Sequence, residues 1–420
     1  MRMLQRICLG IAAVGLLLAI AGWLTGAPLW RPAAVTACLG LAVGLAAVPA
    51  LAGYQFTAWI IAAVTAAMIY PPAFLRWGDF DLRNRWLLLV VVQTVMFGMG
   101  TQMRLEDFAG VLKMPWTVFV GIAGHFTIMP VVGWALTKAF AFPDEIAAGV
   151  ILIGSCSSGL ASNVMCYLAR ANLPLAVTVT AVTTMLAPIM TPLWMKLLAG
   201  TLVEVHVFDM MMEIVKIVLV PITAALVHDY LKHASPQGRR LVLGTAAVGA
   251  TWLAFLVVKG RGSLVSSDAA AATAIDVLGF LLGATVVGVA YHGLTRRFHR
   301  LDSLMPRASM AGIVYFTAVT TAAGRDNLLQ VGGLLFLAAA AHNAAGYCCG
   351  YWLSRVCGLD KNSARAVAFE VGLQNGGMAA GLAASMGKLA TVGLPAAIFS
   401  PWMNVSGSVL ANYWRKRPAN

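Results

Sequence analysis

The segment from Glu370 to Gly377 places one carboxylate, two amides and three glycines inside an otherwise apolar part of the chain. A lone carboxylate at membrane depth costs roughly 2.5–3.5 kcal/mol on insertion scales. A chain tolerates such a group where a cation, either a metal ion or a proton, compensates its charge. Glu370 is therefore predicted to be the centre of a transport site.

The residues around Glu370 offer oxygen atoms in a pattern that suits a hard cation. Alkali cations bind several oxygen ligands at once, and an anionic ligand offsets part of the cost of dehydration. Glu370 and Gln374 lie four residues apart, on one face of a helix, whereas Asn375 projects about 100° away. One side of this segment is thus predicted to serve an ion, and the Asn375 side a substrate.

A second polar run, from Gly154 to Asn163, supplies further oxygen ligands from another apolar segment. Ser162 contributes a hydroxyl group and Asn163 an amide oxygen. Thr180, in the next apolar segment, is within reach of the same place. Side chains this polar at membrane depth need partners, so both runs are predicted to meet at one site.

The amino-acid composition indicates which class of protein contains these polar residues. The chain has 420 residues, of which 60% are hydrophobic and 11% charged, against about 25% charged in soluble domains. Its apolar stretches are about 20 residues long, the length that crosses a hydrocarbon core of about 30 Å. The chain is therefore predicted to be an all-α integral membrane protein with about 14 transmembrane helices. The predicted spans are 7–26, 33–52, 56–75, 86–103, 115–137, 145–169, 173–197, 207–228, 241–258, 274–294, 305–323, 328–353, 363–386 and 391–413.

The net charge of +13 is explained by topology rather than by a nucleic-acid partner. With a cytoplasmic N-terminus, the loops on that side and both termini carry most of the Lys and Arg residues, which is the positive-inside bias. Both termini are therefore predicted to be cytoplasmic, in the plasma (inner) membrane. The apolar run after Met1–Arg6 is long and lacks a clear cleavage site, so it is interpreted as an uncleaved span rather than a signal peptide.

Two pairs of spans lack polar clusters at membrane depth. We predict that residues 1–53 form an additional N-terminal helix pair and residues 236–303 an inserted pair, both serving as peripheral scaffold or dimer contact. The ten remaining spans form two sets of five, and the fourth span of each set is polar and interrupted by glycine. This pattern is typical of transporters built from inverted repeats. We assign the first inverted repeat to 54–235, and the remainder of the second repeat with the C-terminal tail to 304–420.

Several motifs in order along the chain resemble the bile acid:sodium symporter family. They are Met96–Gly100, Cys156–Arg170, Thr178–Pro192, Glu370–Asn375 and Ser400–Ser408. The resemblance covers about residues 55–235 and 304–414, so the two additional helix pairs lie outside it.

The resemblance implies a panel domain and a core domain, with two crossed, discontinuous helices and two sodium sites behind the crossing. By position, the first sodium site would use Ser162, Asn163, Thr180 and Glu370. The second would use Glu370, Gln374 and the backbone carbonyls near Val371 and Leu373. An organic anion would bind in front of the crossing, next to Asn375 and Asn404.

The chain also departs from the family pattern. Ser158 and Leu160 lie where the family usually has Gly and Thr, so a hydroxyl group is lost beside the expected carboxylate position. Ala176 replaces a hydroxyl residue at the first sodium site, and His125 replaces a glutamine at the second. Because imidazole is a poor sodium ligand and titrates near neutral pH, we hypothesise that His125 weakens one sodium site or replaces it with a protonation site. A histidine bonded to a backbone carbonyl is the structural alternative.

These observations favour a secondary active transporter that imports a small organic anion, a carboxylate, with Na⁺ as the coupling ion and H⁺ as the alternative. Efflux of a metabolite or of arsenite, using Cys156 and Glu370, is a second hypothesis. A membrane receptor or scaffold without transport is a third. The chain has no Walker-type phosphate loop and no evident catalytic constellation, so no enzyme activity and no cofactor are predicted. Its sequence indicates the lipid bilayer and the transported anion as partners and leaves the oligomeric state open.

Overall fold

The computed structural model describes residues 2–48, 51–259 and 269–417, and nearly all of them are helical. The helices are α1 Arg2–Thr25, α2 Trp30–Gly44, α3 Gln55–Ile69, α4 Pro71–Leu75, α5 Arg85–Gly100, α6 Gly110–Lys113, α7 Pro115–Phe140, α8 Asp144–Ser155, α9 Ala161–Ala169, α10 Leu173–Trp194, α11 Val207–Ile214, α12 Val220–His233, α13 Pro236–Lys259, α14 Ala269–Arg297, α15 Leu301–Ala323, α16 Arg325–Val356, α17 Lys361–Gly372, α18 Gly376–Ser385 and α19 Leu394–Arg415.

Short irregular helices and one hairpin complete the described chain. The 3₁₀ turns are Leu45–Ala47, Ala52–Tyr54 and Leu105–Ala109, and the π-helical turns are Met195–Ala199 and Val215–Leu219. Strands β1 (Arg76–Trp77) and β2 (Phe80–Asp81) pair antiparallel, with Arg76 opposite Asp81.

Helices lie at all fourteen predicted spans, and the protein is an integral membrane protein. Of the described helices, seven are long and apolar enough to cross a bilayer, or eight if the pair formed by α5 and 105–113, bent by 66°, is one span. Several other predicted spans are divided into shorter helices by turns or breaks. The number of membrane crossings therefore stays a prediction.

The helices pack in two groups that meet along a seam. In the first group, α15 packs against α3 and α5, and α12 packs against α5. In the second, α16 packs against α7, α17 and α19, while α10 packs against α7 and α17. The seam is closed mainly where α18 contacts α5.

The two additional helix pairs lie beside this assembly. Helix α1 packs against α2, which also contacts α3, and α14 packs against α12 and α13. The predicted linker from Lys259 to Asp268 falls, beyond Lys259, outside the described residues, as do residues 49–50 of the second predicted span.

Two helices of the second group are interrupted in mid-span, and local sequence explains where. Helix α8 ends at Ser155, because Cys156 adopts an extended backbone conformation, and α9 begins at Ala161. Helix α17 ends at Gly372, and Leu373 is likewise extended. Asn375 restarts the chain as the N-cap of α18, since its side chain accepts a hydrogen bond from the Met378 amide.

Candidate ion and substrate site

The two helix breaks, residues 156–160 and 373–375, lie side by side and are called the crossing below. Their backbones pair as a short antiparallel bridge between Ser158 and Gln374. The Gly159 amide donates to the Leu373 carbonyl at 3.0 Å, and the Asn375 amide donates to the Ser157 carbonyl at 2.9 Å. A Cβ on Gly159 would lie 2.7 Å from the Gln374 carbonyl oxygen, so only glycine allows this approach.

The Glu370 side chain lies at the crossing and is completely buried. Its Oε2 accepts a hydrogen bond from the Thr180 hydroxyl at 2.8 Å, and its Oε1 accepts one from the Ser162 hydroxyl. The Asn163 Oδ1 lies 3.4 Å from the Thr180 hydroxyl. The structure thus places four residues predicted for the first sodium site within one hydrogen-bonded cluster.

The charge of this carboxylate is compensated only by hydroxyl groups. No basic side chain forms an ion pair with Glu370 in the part of the chain that the structure describes. A buried ion without a countercharge carries a penalty of several kcal/mol. Since a small cation would remove that penalty, the cluster suits an alkali ion.

Gln374 adds an oxygen atom that the protein leaves unsatisfied. Its Nε2 donates to the Val371 carbonyl at 2.7 Å, whereas its Oε1 is buried and has no hydrogen-bond partner among the described residues. Buried polar atoms almost always have partners. The expectation that Glu370 and Gln374 share one helix face is wrong, because α17 ends at Gly372 and Gln374 lies in the extended break. Its unpaired amide oxygen is nevertheless a second sign of a cation ligand. The carbonyl of Leu373, in contrast, is already bonded to the Gly159 amide.

His125, on α7, bridges the two interrupted helices. The ring is completely buried; its Nδ1 lies 2.9 Å from the Glu370 carbonyl oxygen, and its Nε2 lies 2.8 Å from the Cys156 carbonyl oxygen. Both partners are acceptors, and a neutral imidazole carries only one N–H donor. The ring thus lies between carbonyl oxygens at the C-terminal ends of α8 and α17 and can donate a hydrogen bond to one of them at a time in its neutral form.

Ala176, the other departure near the first sodium site, is buried on α10 one helical turn before Thr180. Its methyl group supplies no oxygen ligand, as expected from the sequence.

The residues predicted for the substrate do not form one cluster. Asn375 is buried, and its amide group is engaged with Met378 and with the Ser157 hydroxyl at 3.4 Å. Ser158 is buried within the ion cluster, where its hydroxyl lies 3.4 Å from that of Ser162. Leu160 is half-buried at the start of α9. Asn404 donates to the Ser400 carbonyl of its own helix at 2.8 Å.

A small cavity at the start of α18 includes a residue that the sequence analysis missed. The cavity is lined by Gly376, Gly377, Ser400 and Thr320, and its volume is about 10 Å³, room for about one water molecule. Thr320, on α15, is 1% exposed, and its hydroxyl has no partner among the described residues. Thr320 is one of three threonines in α15, with Thr317 and Thr321, so its residue type alone does not mark it in the sequence.

A larger cavity of about 310 Å³ opens along the seam between α5, the 215–219 turn and α18. Arg85, Glu213 and Lys216 line it, and Lys216 forms an ion pair with Glu213 at 2.8 Å. The Gln93 amide donates to the Lys216 carbonyl at 3.3 Å. This seam therefore carries basic side chains on the first helix group facing α18.

Two other polar residues of α16 serve helix packing. The His342 Nε2 donates to the Met129 carbonyl at 2.8 Å, and the Asn343 amide donates to the Gly372 carbonyl at 2.7 Å. The second bond satisfies the last residue of α17, where the helix ends and leaves carbonyl groups without intrahelical partners.

Comparisons with known proteins show the family. The model of the sodium bile acid symporter family matches residues 88–268. A relative from Bacillus subtilis, named "Uncharacterized sodium-dependent transporter YocS", is 32% identical over 367 residues, which cover 87% of this chain and 92% of the relative. The chain belongs to the sodium bile acid symporter family. The resemblance inferred from the sequence motifs is thereby confirmed.

Two further relatives in the sodium bile acid symporter family extend the comparison to eukaryotes. One from Oryza sativa subsp. japonica, named "Probable sodium/metabolite cotransporter BASS2, chloroplastic", is 28% identical and covers 87% of this chain and 71% of the relative. The human "Ileal sodium/bile acid cotransporter" is 27% identical over 293 residues, 69% of this chain and 66% of the relative. These relatives are transporters rather than enzymes.

Proposed function

We propose that this protein is a secondary active transporter that moves a small organic anion together with sodium by alternating access. The observation that carries the proposal is the fully buried Glu370 carboxylate, bonded by hydroxyl groups of α9 and α10 at the place where two interrupted helices pair. Membership of a family whose members are named as sodium-dependent transporters supports the same conclusion.

Sodium binding would couple the two interrupted helices. The oxygen atoms of Ser162, Asn163, Thr180 and Glu370 come from α9, α10 and α17, so an ion among them ties three helices together. A ligand shifts a conformational equilibrium only by its differential affinity for the two states. The state with an uncompensated Glu370 would therefore resist the change that moves the site across the membrane.

We propose that one sodium ion, rather than two, accompanies each substrate. The carbonyl oxygens of Cys156 and Glu370 face the His125 ring at hydrogen-bond distance, so they are not free to bind a second ion. The Gln374 Oε1 has no partner among the described residues and is assigned to the remaining ion, whereas the Val371 carbonyl already accepts a hydrogen bond from the Gln374 Nε2. Coupling to a proton through His125 stays a prediction, and uptake that ignores pH between about 5 and 8 would contradict it.

The substrate anion is assigned to the front of the crossing, at the N-terminus of α18. Helix N-termini present unpaired amide groups and a partial positive charge to anions. The unpartnered hydroxyl of Thr320 faces the same cavity from α15, and Asn375 and Asn404 lie on the flanking segments. Leu160 replaces a hydroxyl with an apolar side chain, which would favour an anion with an apolar group near its carboxylate.

The cavity in front of the crossing admits about one water molecule, so this conformation is closed to a substrate there. Opening would separate α18 from α5 along the seam, where Arg85 and Lys216 would attract an approaching anion. The helix group containing α16 and α17 then acts as a core domain and the other as a panel domain. We also propose two inverted repeats, the first in 54–235 and the remainder of the second, with the C-terminal tail, in 304–420. Peripheral helix pairs lie at 1–53 and 236–303, and both termini are in the cytoplasm, at the inner membrane.

The test begins with the purified protein and a set of small carboxylates, including keto acids, pantoate and bile salts. Thermal stabilisation with and without sodium identifies the ligand, because a bound ligand stabilises by RT ln(1 + [L]/Kd). Uptake of that ligand into proteoliposomes is then driven by a sodium gradient. We expect Glu370→Gln to abolish sodium-driven uptake, whereas Glu204→Gln, which neutralises an exposed loop carboxylate, leaves it unchanged.

Sodium-driven accumulation of normal extent in Glu370→Gln would refute the proposal. Loss of resistance to arsenite in cells carrying Cys156→Ser, without any anion uptake by the wild-type protein, would support the efflux hypothesis instead. A complete lack of flux with every carboxylate would leave the scaffold hypothesis.

A further inference from the structure

A long apolar groove runs along the outer surface between α16 and α19. Its volume is about 830 Å³. The two helices run in the same direction, because Phe336 packs on Trp402 with ring centroids 5.0 Å apart and, further along, Tyr351 packs on Trp414 at 6.0 Å. The groove widens where Ala344 offers only a methyl group.

The groove has the length of one lipid acyl chain. On α16 it extends from Ala340 to Trp352, which is about 18 Å at the rise of an α-helix. One leaflet of the hydrocarbon core is about 15 Å deep. The Trp352 and Val409 side chains on the two rims are 61% and 58% exposed, so the groove is open to the membrane along this length.

A basic notch continues the groove at the C-terminal end of α19. This second cavity, of about 500 Å³, shares Val409 and Tyr413 with the groove and is completed by Lys416, Arg417 and Tyr54. Tyr54 belongs to the 3₁₀ turn that connects the additional N-terminal helices to α3. The notch is thus built partly by the turn at the boundary between the additional N-terminal pair and the ten-helix core.

The charge of the notch is positive and uncompensated. No carboxylate within the described ranges forms an ion pair with Lys416 or Arg417. Nearby, Arg365 is 8% exposed, and its guanidinium lies over the Trp414 ring while its Nη1 is buried without a hydrogen-bond partner among these residues. The C-terminus of α19 contributes about half a negative charge, which is less than Lys416 and Arg417 supply.

We propose that the groove and notch bind one anionic phospholipid. An acyl chain lies against the aromatic walls of the groove, and the phosphate group meets Lys416 and Arg417, with the Tyr54 hydroxyl at its edge. A helix of a partner protein would fill the groove but leave the notch cations unpaired. An anionic phospholipid matches both features, because its acyl chain fills the groove and its headgroup pairs with the notch cations. Basic pockets between membrane helices are a recognised form of lipid site.

The groove is connected to the crossing through its floor. Ser406 and Asn343 line the groove and are bonded to each other at 2.5 Å, and the Asn343 amide donates to the Gly372 carbonyl at 2.7 Å. Tyr347 joins them, with its hydroxyl 3.3 Å from that of Ser406. An occupant pressing on this floor stabilises the end of α17 and, given the proposed transport function, raises the affinity for sodium.

Lipid binding is measured on the full-length protein in detergent by native mass spectrometry, with phosphatidylglycerol and phosphatidylcholine of identical acyl chains. We expect phosphatidylglycerol to bind at least tenfold more tightly. Lys416→Gln and Arg417→Gln should each weaken its binding about fivefold. Arg415→Gln is the matched control, because Arg415 lies about 200° around the helix from Tyr413, and it should change binding less than twofold. Ala344→Trp fills the groove and should abolish binding of both lipids.

Equal binding of the two lipids, or equal effects of Lys416→Gln and Arg415→Gln, would overturn the proposal. Displacement of phosphatidylglycerol from the wild-type protein by inorganic phosphate would support the assignment of the phosphate group to the notch. Unchanged lipid binding in Ala344→Trp would show that the anion binds at the surface without the groove. If Ala344→Trp fails to fold, Val409→Trp on the exposed rim takes its place. Lipid binding is measured without a transport substrate, so its outcome does not depend on whether the transport proposal is correct.

Discussion

Removal of the Thr180 hydroxyl tests the ion site most directly. Thr180→Val preserves the shape of the side chain and deletes the donor that lies 2.8 Å from the Glu370 carboxylate. Hydrogen bonds to charged groups contribute about 1.5–3 kcal/mol. If that free energy is expressed in sodium binding, the sodium concentration for half-saturation rises about 10- to 150-fold.

The assay does not require the substrate. The melting temperature of the purified protein is recorded against sodium concentration, with choline replacing sodium to keep the ionic strength constant, and the apparent Kd follows from the stabilisation. Thr180→Ser retains the hydroxyl and should stay close to the wild type.

Thr184→Val is the matched control on the same helix. Thr184 is equally buried, but its hydroxyl donates only to the Thr180 carbonyl one turn earlier, at 2.8 Å. This variant should shift the sodium dependence less than twofold. Equal shifts in Thr180→Val and Thr184→Val, or a Kd unchanged in Thr180→Val, would refute the assignment of Thr180 to the ion.

Three further predictions concern His125, Asn343 and Asp360. His125→Gln removes the ring from the Cys156 and Glu370 carbonyls, so a second sodium ion could bind and the Hill slope of sodium-driven uptake should rise from about one to about two. A slope already near two in the wild type would contradict the one-ion proposal. Asn343→Ala leaves the buried Gly372 carbonyl without its donor and should lower the free energy of unfolding by about 1–3 kcal/mol, measured by denaturation in detergent, whereas a neutral effect would show that water replaces the amide. Asp360 caps α17 by accepting from the Asn362 and Ser363 amides; partial burial raises its pKa, but hydrogen bonds from Ser363 and Asn362 bring the pKa below its ordinary 3.8. Asp360→Ala should therefore lower the free energy of unfolding by about 1 kcal/mol at neutral pH, whereas Asp360→Asn should keep most of the cap. This difference is fully present above the ordinary pKa of the carboxyl group and is lost as pH falls through its lower pKa in the folded protein. Equal stability of wild type and Asp360→Ala at pH 7 would contradict this role.

The position of Glu370 was enough to predict a polar site from the sequence. A carboxylate in an apolar segment has few stable environments in a bilayer, so its type and position predicted a polar site, and the glycines and amides around it predicted the break in α17. The same reasoning identified Ser162, Asn163 and Thr180 as neighbours, and the structure places them in one cluster with Glu370. Their role as sodium ligands stays a prediction.

The membrane class, the helical segments, the two glycine-interrupted helices and the family could all be predicted from the sequence, because each follows from local composition or from ordered motifs. Tertiary structure alone decided which carbonyls His125 contacts, that Gln374 keeps one oxygen unpaired, and that Thr320 faces the start of α18. Packing also brings Tyr54, at the start of the proposed first repeat, together with Lys416 and Arg417 in one notch. Such facts depend on the packing of helices far apart in the chain, where a rotation of one helix exchanges the side chain that faces the site for one that faces lipid.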